Sequence, residues 1–384
     1  MVLSNVQLIG GSGPVNIKIA GGTITEVSEN TYPQKAGQLQ LTFNNAMAFP
    51  GLINSHDHLD FNLFPQLGNK IYNNYTEWGK NIHQQYKSEI AAVLKIPVTL
   101  REEWGLYKNL ICGVTTVVNH GEKTKTKKRP ISVHEQYQCL HSVQFQKNWR
   151  LKLNHPLKLK NPVVIHAGEG TDHSSRKEID TLIKWNLLHK TLIAVHGVAL
   201  TTSQAKKFKA LVWCPQTNYF LLGKTAAIDK LKRNTTILFG TDSTLTGHWN
   251  IWEHLRTARQ TKLLPDIDLY NSLSLNAADV WGTSNGKLSK DKKADLVITK
   301  IKDGKNDLDS FFDTKPESIM LLLHNGRIKL FDAEIYPQLA SVDTSGFSKI
   351  YINGTCKYIE GDVPKLMADI KQYYPEANFP ISAD

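Results

Sequence analysis

Two histidines separated by one residue follow an apolar stretch early in the chain, in LINSHDHLDF at residues 52–61. Side chains at positions i and i+2 of an extended segment point to the same side, so His56 and His58 could bind one ion through neutral imidazole nitrogens. With 14 histidines in 384 residues such a pair also arises by chance. The alternative is a hydrogen-bonded pair at a strand end, and the rest of the sequence has to distinguish the two.

Four more apolar stretches end in a histidine or a carboxylate. VTTVV, PVVI, LIAV and TILFGT are followed, in this order, by His120, His166 with Glu169, His196 and Asp242. In a (β/α)8 barrel the carboxyl ends of the strands converge on one face, where the active site lies. We therefore predict that these side chains and the His56–His58 pair form one site.

The residue types in this set are those of a hydrolytic metal site. His56, His58 and His166 offer three imidazoles, and Asp242 offers a carboxylate that can contact both metal and water. Zn²⁺ prefers such ligands and, when catalytic, keeps one position open for water, whose pKa it lowers toward ~7. The prediction is one divalent metal that makes hydroxide available at neutral pH.

The remaining polar groups suit proton transfer. Asp242 can accept the proton of the water, and Glu169 can carry a proton to a ring nitrogen or leaving group of the substrate. His196 can orient the hydroxide or polarise the substrate. His120, expected at the mouth of the barrel, and Asn218, in CPQTN, are candidates for substrate binding, with a structural role as the alternative for each.

Strands alternating with helices over residues 48–283 predict an α/β fold, a (β/α)8 TIM barrel. A helix is expected from near Thr99 to Gly113, with Thr99 and Glu102 forming a capping box. Both chain ends instead contain hairpin signals, at Gly21-Gly22 and at Asn325-Gly326. We predict that residues 1–47 and 284–335 form a small β-sandwich domain into which the barrel is inserted, and that 336–384 is a C-terminal extension.

A set of motifs carries a family resemblance. FPGLINSHDHL (49–59), GVTTVVNHG (113–121), HAGE (166–169), VHGVAL (195–200), WCPQTNYFLLGKTA (213–226), FGTDSTLTG (239–247), LSLNAADVWG (273–282) and GKLSKDKKADLVI (286–298) resemble the amidohydrolase superfamily. Within it they are similar to the cytosine deaminase and chlorohydrolase-like branch of guanine, adenosylhomocysteine and triazine-ring hydrolases. The resemblance implies a barrel inserted in a β-sandwich and a divalent metal, usually zinc and sometimes iron.

The resemblance also implies residue roles. His56 and His58 match the ligands of the first strand, His166 the ligand of the fifth, and Asp242 the ligand and base of the eighth. Glu169 matches the acid/base of the mononuclear deaminases, and His196 matches a histidine that contacts water or substrate. Binuclear relatives use a carboxylated lysine on the fourth strand, for which Lys152 is the alternative here, whereas HAGE favours one metal.

The chain departs from the family pattern between His120 and His166. This stretch is short, and we expect strand three in ISVHEQYQCLHS and strand four in RLKLNHP, which predicts a barrel trimmed on that side. The extension is expected to hold a strand in KIYING and a helix in VPKLMADIKQYY, packed on the barrel or on a neighbouring subunit.

Aromatic residues after the first strand could wall a pocket for a planar ring, although packing in the core is the simpler interpretation; they are Phe61, Phe64, Tyr72, Tyr75 and Trp78. The histidines without a motif are expected to be structural or exposed; they are His83, His134, His141, His155, His173 and His254.

The composition is that of an ordinary globular protein, 41% hydrophobic and 21% charged. The net charge of +11 lies partly in KTKTKKR at 123–129, which we interpret as a solvated loop or, less directly, as an attraction for an anionic substrate. No apolar stretch is long enough to span a membrane, no secretory signal is visible, and four isolated cysteines indicate a reducing compartment. We expect a cytoplasmic protein with a small-molecule substrate, without nucleic acid or membrane, and with a homo-oligomer left open.

The predicted function is hydrolysis of non-peptide carbon–nitrogen bonds, with deamination of a small nitrogen heterocycle by metal-activated hydroxide as the first choice. The alternative is hydrolysis of a cyclic amide or of a chloro- or amino-substituted ring at the same centre. Lower alternatives are a non-catalytic ligand-binding relative and a basic nucleic-acid binder.

Overall fold

The computed structural model describes residues 1–30, 32–33, 37–301 and 307–383. The strands are β1 Val2–Leu8, β2 Pro14–Ala20, β3 Thr23–Ser28, β4 Gln40–Thr42, β5 Ala46–Pro50, β6 Leu52–Asp57, β7 Val114–Asn119, β8 Ser132–His134, β9 Gln138–Ser142, β10 Val163–Ala167, β11 Leu192–His196, β12 Ala210–Trp213, β13 Thr236–Phe239, β14 Leu296–Lys300, β15 Ile319–His324, β16 Arg327–Asp332, β17 Phe347–Ile352, β18 Thr355–Glu360 and β19 Ser382–Ala383.

The helices are α1 Tyr75–Gln85, α2 Lys87–Leu94, α3 Val98–Ile111, α4 Trp149–Leu153, α5 His173–Trp185, α6 Thr202–Ala205, α7 Pro215–Leu222, α8 Ile228–Leu231, α9 Ile251–Gln260, α10 Asp266–Asn271, α11 Leu275–Trp281, α12 Asp307–Phe312 and α13 Val363–Tyr373. Within the described ranges, none of these helices is long and apolar enough to cross a membrane.

Eight parallel strands in two sheets carry the middle of the chain. One sheet has the order β6-β7-β8 and the other β13-β12-β11-β10-β9. Their edges meet where β6 and β13 end, through the 2.9 Å hydrogen bond from His58 N to the carbonyl of Asp242. At the other side, no pairing joins β8 to β9 among the described residues. The predicted α/β class is confirmed.

The short stretch between His120 and His166 folds differently from the expectation. ISVHEQYQCLHS contains both β8 and β9, whereas RLKLNHP lies in α4 and the turn after it, so the prediction of a strand there is wrong. Burial explains the difference, because Trp149 and Leu153, four residues apart, face the core while Leu151 is 74% exposed. That spacing is helical; a strand would have turned residue 151 to the same side as 149 and 153.

The chain ends together form an eleven-stranded mixed sheet. Its N-terminal and C-terminal strands form two adjacent blocks that join where β5, paired in parallel with β1, pairs antiparallel with β14. Both hairpin turns, at Gly21-Gly22 and Asn325-Gly326, have positive φ angles. The extension contributes β17, β18 and β19 to the same sheet and α13 to the surface of α3, in agreement with the strand and helix expected there.

Helix α3 forms the floor beneath the end of β6. It begins after Pro97, two residues before Thr99, and no side chain caps it, so the predicted capping box is wrong. Pro97 already fixes the first turn, and the carboxylate of Glu102 is used elsewhere, accepting the backbone N–H groups of Lys125 and Thr126, both at 2.8 Å. The helix ends at the predicted place, before Gly113 with φ 90°.

Gly105 of α3 tests how closely this floor packs. A Cβ at this position would lie 2.2 Å from the carbonyl oxygen of Leu59, the residue after His58. We predict that Gly105→Ala lowers the free energy of unfolding by about 1–3 kcal/mol, because backbone has to move to admit the methyl group. Chemical denaturation measures this. Gly13→Ala is the control, since no atom lies within 4 Å of its added Cβ; equal stability of both variants would contradict the packing.

Candidate metal centre and active site

The predicted site residues lie together at the carboxyl ends of the parallel strands. His56 lies in β6 with His58 directly after it, His166 lies in β10, His196 ends β11, and Asp242 follows β13. All five are buried, with at most 8% of the residue exposed. His196 and Asp242 have φ angles of 69° and 63°, in the left-handed region that costs free energy for residues other than glycine. Such strain clusters at functional sites.

Four of these side chains direct ligand atoms at one another. Nε2 of His56 lies 3.2 Å from Nε2 of His166 and 3.5 Å from Oδ1 of Asp242. Nε2 of His58 lies 3.4 Å from the same Oδ1. A tetrahedral zinc with bonds of ~2.0–2.1 Å would hold its ligand atoms about 3.3–3.4 Å apart. The observed separations therefore fit a divalent ion between the four groups.

Burial favours the neutral form, which binds metals, for three imidazoles of the cluster. Burial lowers the pKa of His58, lowers that of His196 to about 4, and together with the neighbouring histidines lowers that of His166 well below its usual value. A neutral imidazole retains the lone pair that binds a metal. The cluster is therefore ready to bind a cation at neutral pH.

The two carboxyl groups of the site have pKa values shifted in opposite directions. Burial raises the pKa of Glu169 well above its usual value, and Asp242 and Glu178 raise it further. Burial would also raise the pKa of Asp242, but the adjacent imidazoles, His56 and His58 foremost, outweigh it and lower that pKa well below its usual value. These opposite shifts favour the protonated form of Glu169 and the ionised form of Asp242, a division typical of paired acid and base.

A buried network beneath the site fixes the His56–His58 turn. Asp57 lies between the two histidines and points away from them, where its Oδ2 accepts from Lys108 at 2.7 Å and from Asn109 at 2.8 Å. Its Oδ1 accepts from Asn62 at 2.7 Å. Lys108 and Asp57 are at most 3% exposed in their side chains, so the ion pair lies in the interior of the protein.

Two hydroxyl groups and one further carboxyl group hold Asp242 and the loop of Glu169 in place. Thr217 and Thr246 both donate to Oδ2 of Asp242, at 3.1 and 3.0 Å, which leaves Oδ1 facing the histidines. Glu178 accepts from the backbone N–H of Gly168 at 3.0 Å and thereby holds the loop that carries Glu169. Burial raises the pKa of Glu178 to about 7.

The two residues assigned tentatively to substrate lie behind other side chains. Asn218 is fully buried, and its Oδ1 lies 3.1 Å from Nδ1 of His196. His120 stacks on His166 with ring centroids 4.3 Å apart, and both of its ring nitrogens lack hydrogen-bond partners among the described residues. Their contacts are with the histidines of the cluster, so each can position a site imidazole.

The structure brings to the site one histidine that sequence reasoning missed. His141, expected to be structural or exposed, lies on β9 with its ring centroid 5.1 Å from that of His166. A strand was expected in this stretch, but His141 lies inside QCLHS and does not follow an apolar run, which was the pattern that identified the other histidines. Lys152, by contrast, is an exposed residue of α4 and does not take part in the cluster.

A cavity of about 660 Å³ opens onto these residues. Its floor holds His58, His166, Glu169, His196 and Asp242. Four of the five aromatic residues after the first strand wall it, as their position allowed; they are Phe61, Phe64, Tyr75 and Trp78. Tyr72 instead packs with Leu221 and Leu222 in a separate cluster.

Comparisons with known proteins agree with this geometry. Residues 155–329 match the model of the amidohydrolase family. A 5'-deoxyadenosine deaminase of Methanosphaera stadtmanae is 21% identical over 346 residues, covering 74% of this chain and 81% of the relative. A 5-methylthioadenosine/S-adenosylhomocysteine deaminase of Pyrococcus abyssi is 24% identical over 202 residues, covering 45% and 47%.

A solved structure gives the same fold. An adenosine deaminase from Xanthomonas campestris with bound zinc matches with a TM-score of 0.71 at 15% identity, covering 98% of both chains. At this identity the likeness establishes the fold, which is of the TIM-barrel type.

The ion pair beneath the site leads to a stability prediction. Lys108→Met would leave the Asp57 carboxylate buried without its cation, so we expect a loss of about 3–5 kcal/mol in the free energy of unfolding. The double variant Asp57→Asn/Lys108→Met should recover at least half of that loss, because no charge then remains unpaired. Both values come from denaturant titration.

Lys70→Met is the matched control, since it breaks the exposed Lys70–Glu77 pair at 2.9 Å. Its effect should stay within about 0.5 kcal/mol. A Lys108→Met effect of the same size as this control would show that Asp57 does not depend on its partner.

Proposed function

This chain carries a domain of the amidohydrolase family, and we propose that it is a metal-dependent hydrolase that deaminates a small nitrogen heterocycle. The observation that carries the proposal is the chain of three contacts of 3.2–3.5 Å that links His58, Asp242, His56 and His166. Glu169 lies beside them, in a group of potential ligands with His166 and His196. A binding protein would have no use for a buried carboxyl that keeps its proton next to such a cluster.

We propose that one divalent ion, zinc in first place and iron as the alternative, is held by His56, His58, His166 and Asp242. The donor set of imidazole nitrogens with one carboxylate suits zinc, and the ligand spacing fits its tetrahedral geometry. Bound there, the ion would supply Lewis-acid chemistry and lower the pKa of a water toward neutrality.

The residues of the chain then account for the proton transfers. Asp242, ionised and held through its Oδ2, accepts a proton from the attacking water. Glu169 donates its proton to the ring nitrogen next to the carbon under attack. The tetrahedral product of this addition loses ammonia, which leaves with the proton that Asp242 accepted. The hydroxyl group on the same carbon returns a proton to Glu169 and becomes the carbonyl of the product.

His196 positions the reacting groups. Its Nε2 lies 3.6 Å from Oε2 of Glu169, and its Nδ1 contacts Asn218. Donation from Nδ1 to the Asn218 carbonyl oxygen leaves the Nε2 lone pair facing the substrate side. We therefore assign to Asn218 and His120 the positioning of imidazoles, in place of the direct substrate contact first expected.

The alternative functions and a binuclear metal centre have less support. Hydrolysis of a cyclic amide would use the same centre and differs only in the substrate. A binuclear centre would need a lysine ligand, and the exposed Lys152 is far from that role. A nucleic-acid binder would use the cations of the basic loop, but three of the five, Lys125, Lys128 and Arg129, pair with carboxylates.

We further propose how the barrel is built. The eight parallel strands surround the site with the seam between β8 and β9 left open, as the trimming of that side predicted. Because only residues 135–137 separate these strands, no crossover helix fits between them.

Single substitutions of site side chains distinguish residues needed for metal binding from residues needed for catalysis. We predict that Glu169→Gln retains about one metal per chain but loses activity by about a hundredfold or more, since a general acid typically contributes ~10²–10⁴-fold. His56→Ala should lose the metal as well as activity. Metal content by mass spectrometry and ammonia release from aminated purines, pyrimidines, pterins and triazines measure both.

His173→Ala is the control, because this histidine begins α5 outside the cluster. Full activity of Glu169→Gln, or an unchanged metal content in His56→Ala, would remove the respective residue from its assigned role.

A further inference from the structure

The wall of the cavity above the reacting groups is almost entirely apolar. It is formed by aromatic and aliphatic side chains of α1, α2 and the segment after β9; they include Trp78, Ile82, Ile90, Leu94 and Phe145. Leu94 is 51% and Phe145 48% exposed, whereas Glu169 and Asp242 are 5% and 7% exposed. The apolar wall therefore extends from the buried floor to an open rim.

The only formal charge along this wall, among the described residues, is the positive charge of Lys80. Apart from Glu169 and Asp242 on the floor, no described residue that lines the cavity carries a carboxylate. Lys80, an exposed residue of α1, lines it too and forms no ion pair among the described residues. A positive group on a ligand would therefore meet a cation and no counter-ion.

Polar partners are also scarce away from the floor. Of the polar residues that line the cavity, His83 and Gln84 lie on the exposed side of α1, whereas Thr246 and Tyr75 already donate to Asp242 and Glu178. His141 and Ser243 lie at the floor, beside His166 and Asp242. Hydroxyl groups placed along the wall would give up hydrogen bonds to water without replacement, which disfavours their binding. An alkyl or thioether chain would instead gain from leaving water.

We propose that the substrate of this site is a nitrogen heterocycle carrying a neutral, apolar substituent, which lies along the wall formed by α1, α2 and Phe145. This inference rests on the proposed deaminase function for its reaction and adds the class of substrate. It excludes zwitterionic substituents, such as an amino-acid side arm, as good substrates.

A homologous series of 9-alkyladenines tests the substituent directly. The probes are 9-methyl-, 9-butyl- and 9-hexyladenine, with 9-(6-hydroxyhexyl)- and 9-(6-aminohexyl)adenine as polar and cationic analogues of equal reach. We expect kcat/KM for ammonia release to rise about fourfold per methylene until the wall is covered. The ammonium analogue should fall about tenfold or more below hexyl.

Calorimetry with the matched 9-alkylhypoxanthines measures the contribution of the substituent to binding independently of the deamination reaction. Affinity that rises with chain length, with a negative heat-capacity change, supports the apolar wall even if no adenine releases ammonia; in that case the proposed deamination fails alone. Ammonia release or affinity that is flat along the alkyl series, or highest for the ammonium analogue, overturns the inference.

A variant with a negative charge at the rim of the cavity tests the discrimination against the ammonium analogue. Leu94→Asp adds the missing counter-ion on an exposed position, so the ratio of kcat/KM for the ammonium analogue to that for hexyl should rise about three- to fivefold. Leu157→Asp, at a leucine that is 89% exposed outside the cavity, should leave the ratio unchanged. Equal ratios in both variants would contradict a substituent lying along α2.

Discussion

The crowding of neutral imidazoles and carboxylates in one buried volume is the constraint on which the rest of the structure depends. Five histidine rings lie with centroids 4.3–5.8 Å apart in neighbouring pairs, and Asp242 stands among them. The Nε2 atoms of His56 and His166 lie 3.2 Å apart and can share only one hydrogen bond between them. Nδ1 of His56 and both ring nitrogens of His120 lack hydrogen-bond partners among the described residues. Burying polar nitrogens without partners destabilises the protein, whereas a cation at the centre would be bound by them.

The surrounding protein holds that arrangement from below. The pair Lys108–Asp57 ties α3 to the turn between the ligands, and Gly105 lets the same helix approach the backbone of Leu59. The left-handed conformations of His196 and Asp242 turn their side chains inward from the strand ends. Rigid support of this kind fixes the positions of the site side chains relative to one another.

The proximity of these residues could be predicted because each lies at the end of an apolar strand that the sequence shows clearly. The carboxyl ends of parallel strands converge, so order along the chain sufficed to bring His166, His196 and Asp242 together. His141 could not be found this way, because its strand is short and partly polar and α4 was mistaken for a strand. The positions of His120 and Asn218 behind the imidazoles, and of Trp78 and Phe145 on the cavity wall, depend on tertiary packing that no local pattern encodes.

The measurement that tests the central claim most directly is the X-ray absorption spectrum of the metal in protein purified without added metal. The account predicts about one ion per chain with nitrogen and oxygen neighbours at ~2.0–2.1 Å, the multiple scattering of imidazoles, and no sulfur at ~2.3 Å. It also predicts no second metal at ~3.5–4 Å. A metal-free protein, sulfur ligands or a metal–metal distance in that range would contradict a mononuclear centre built from His56, His58, His166 and Asp242.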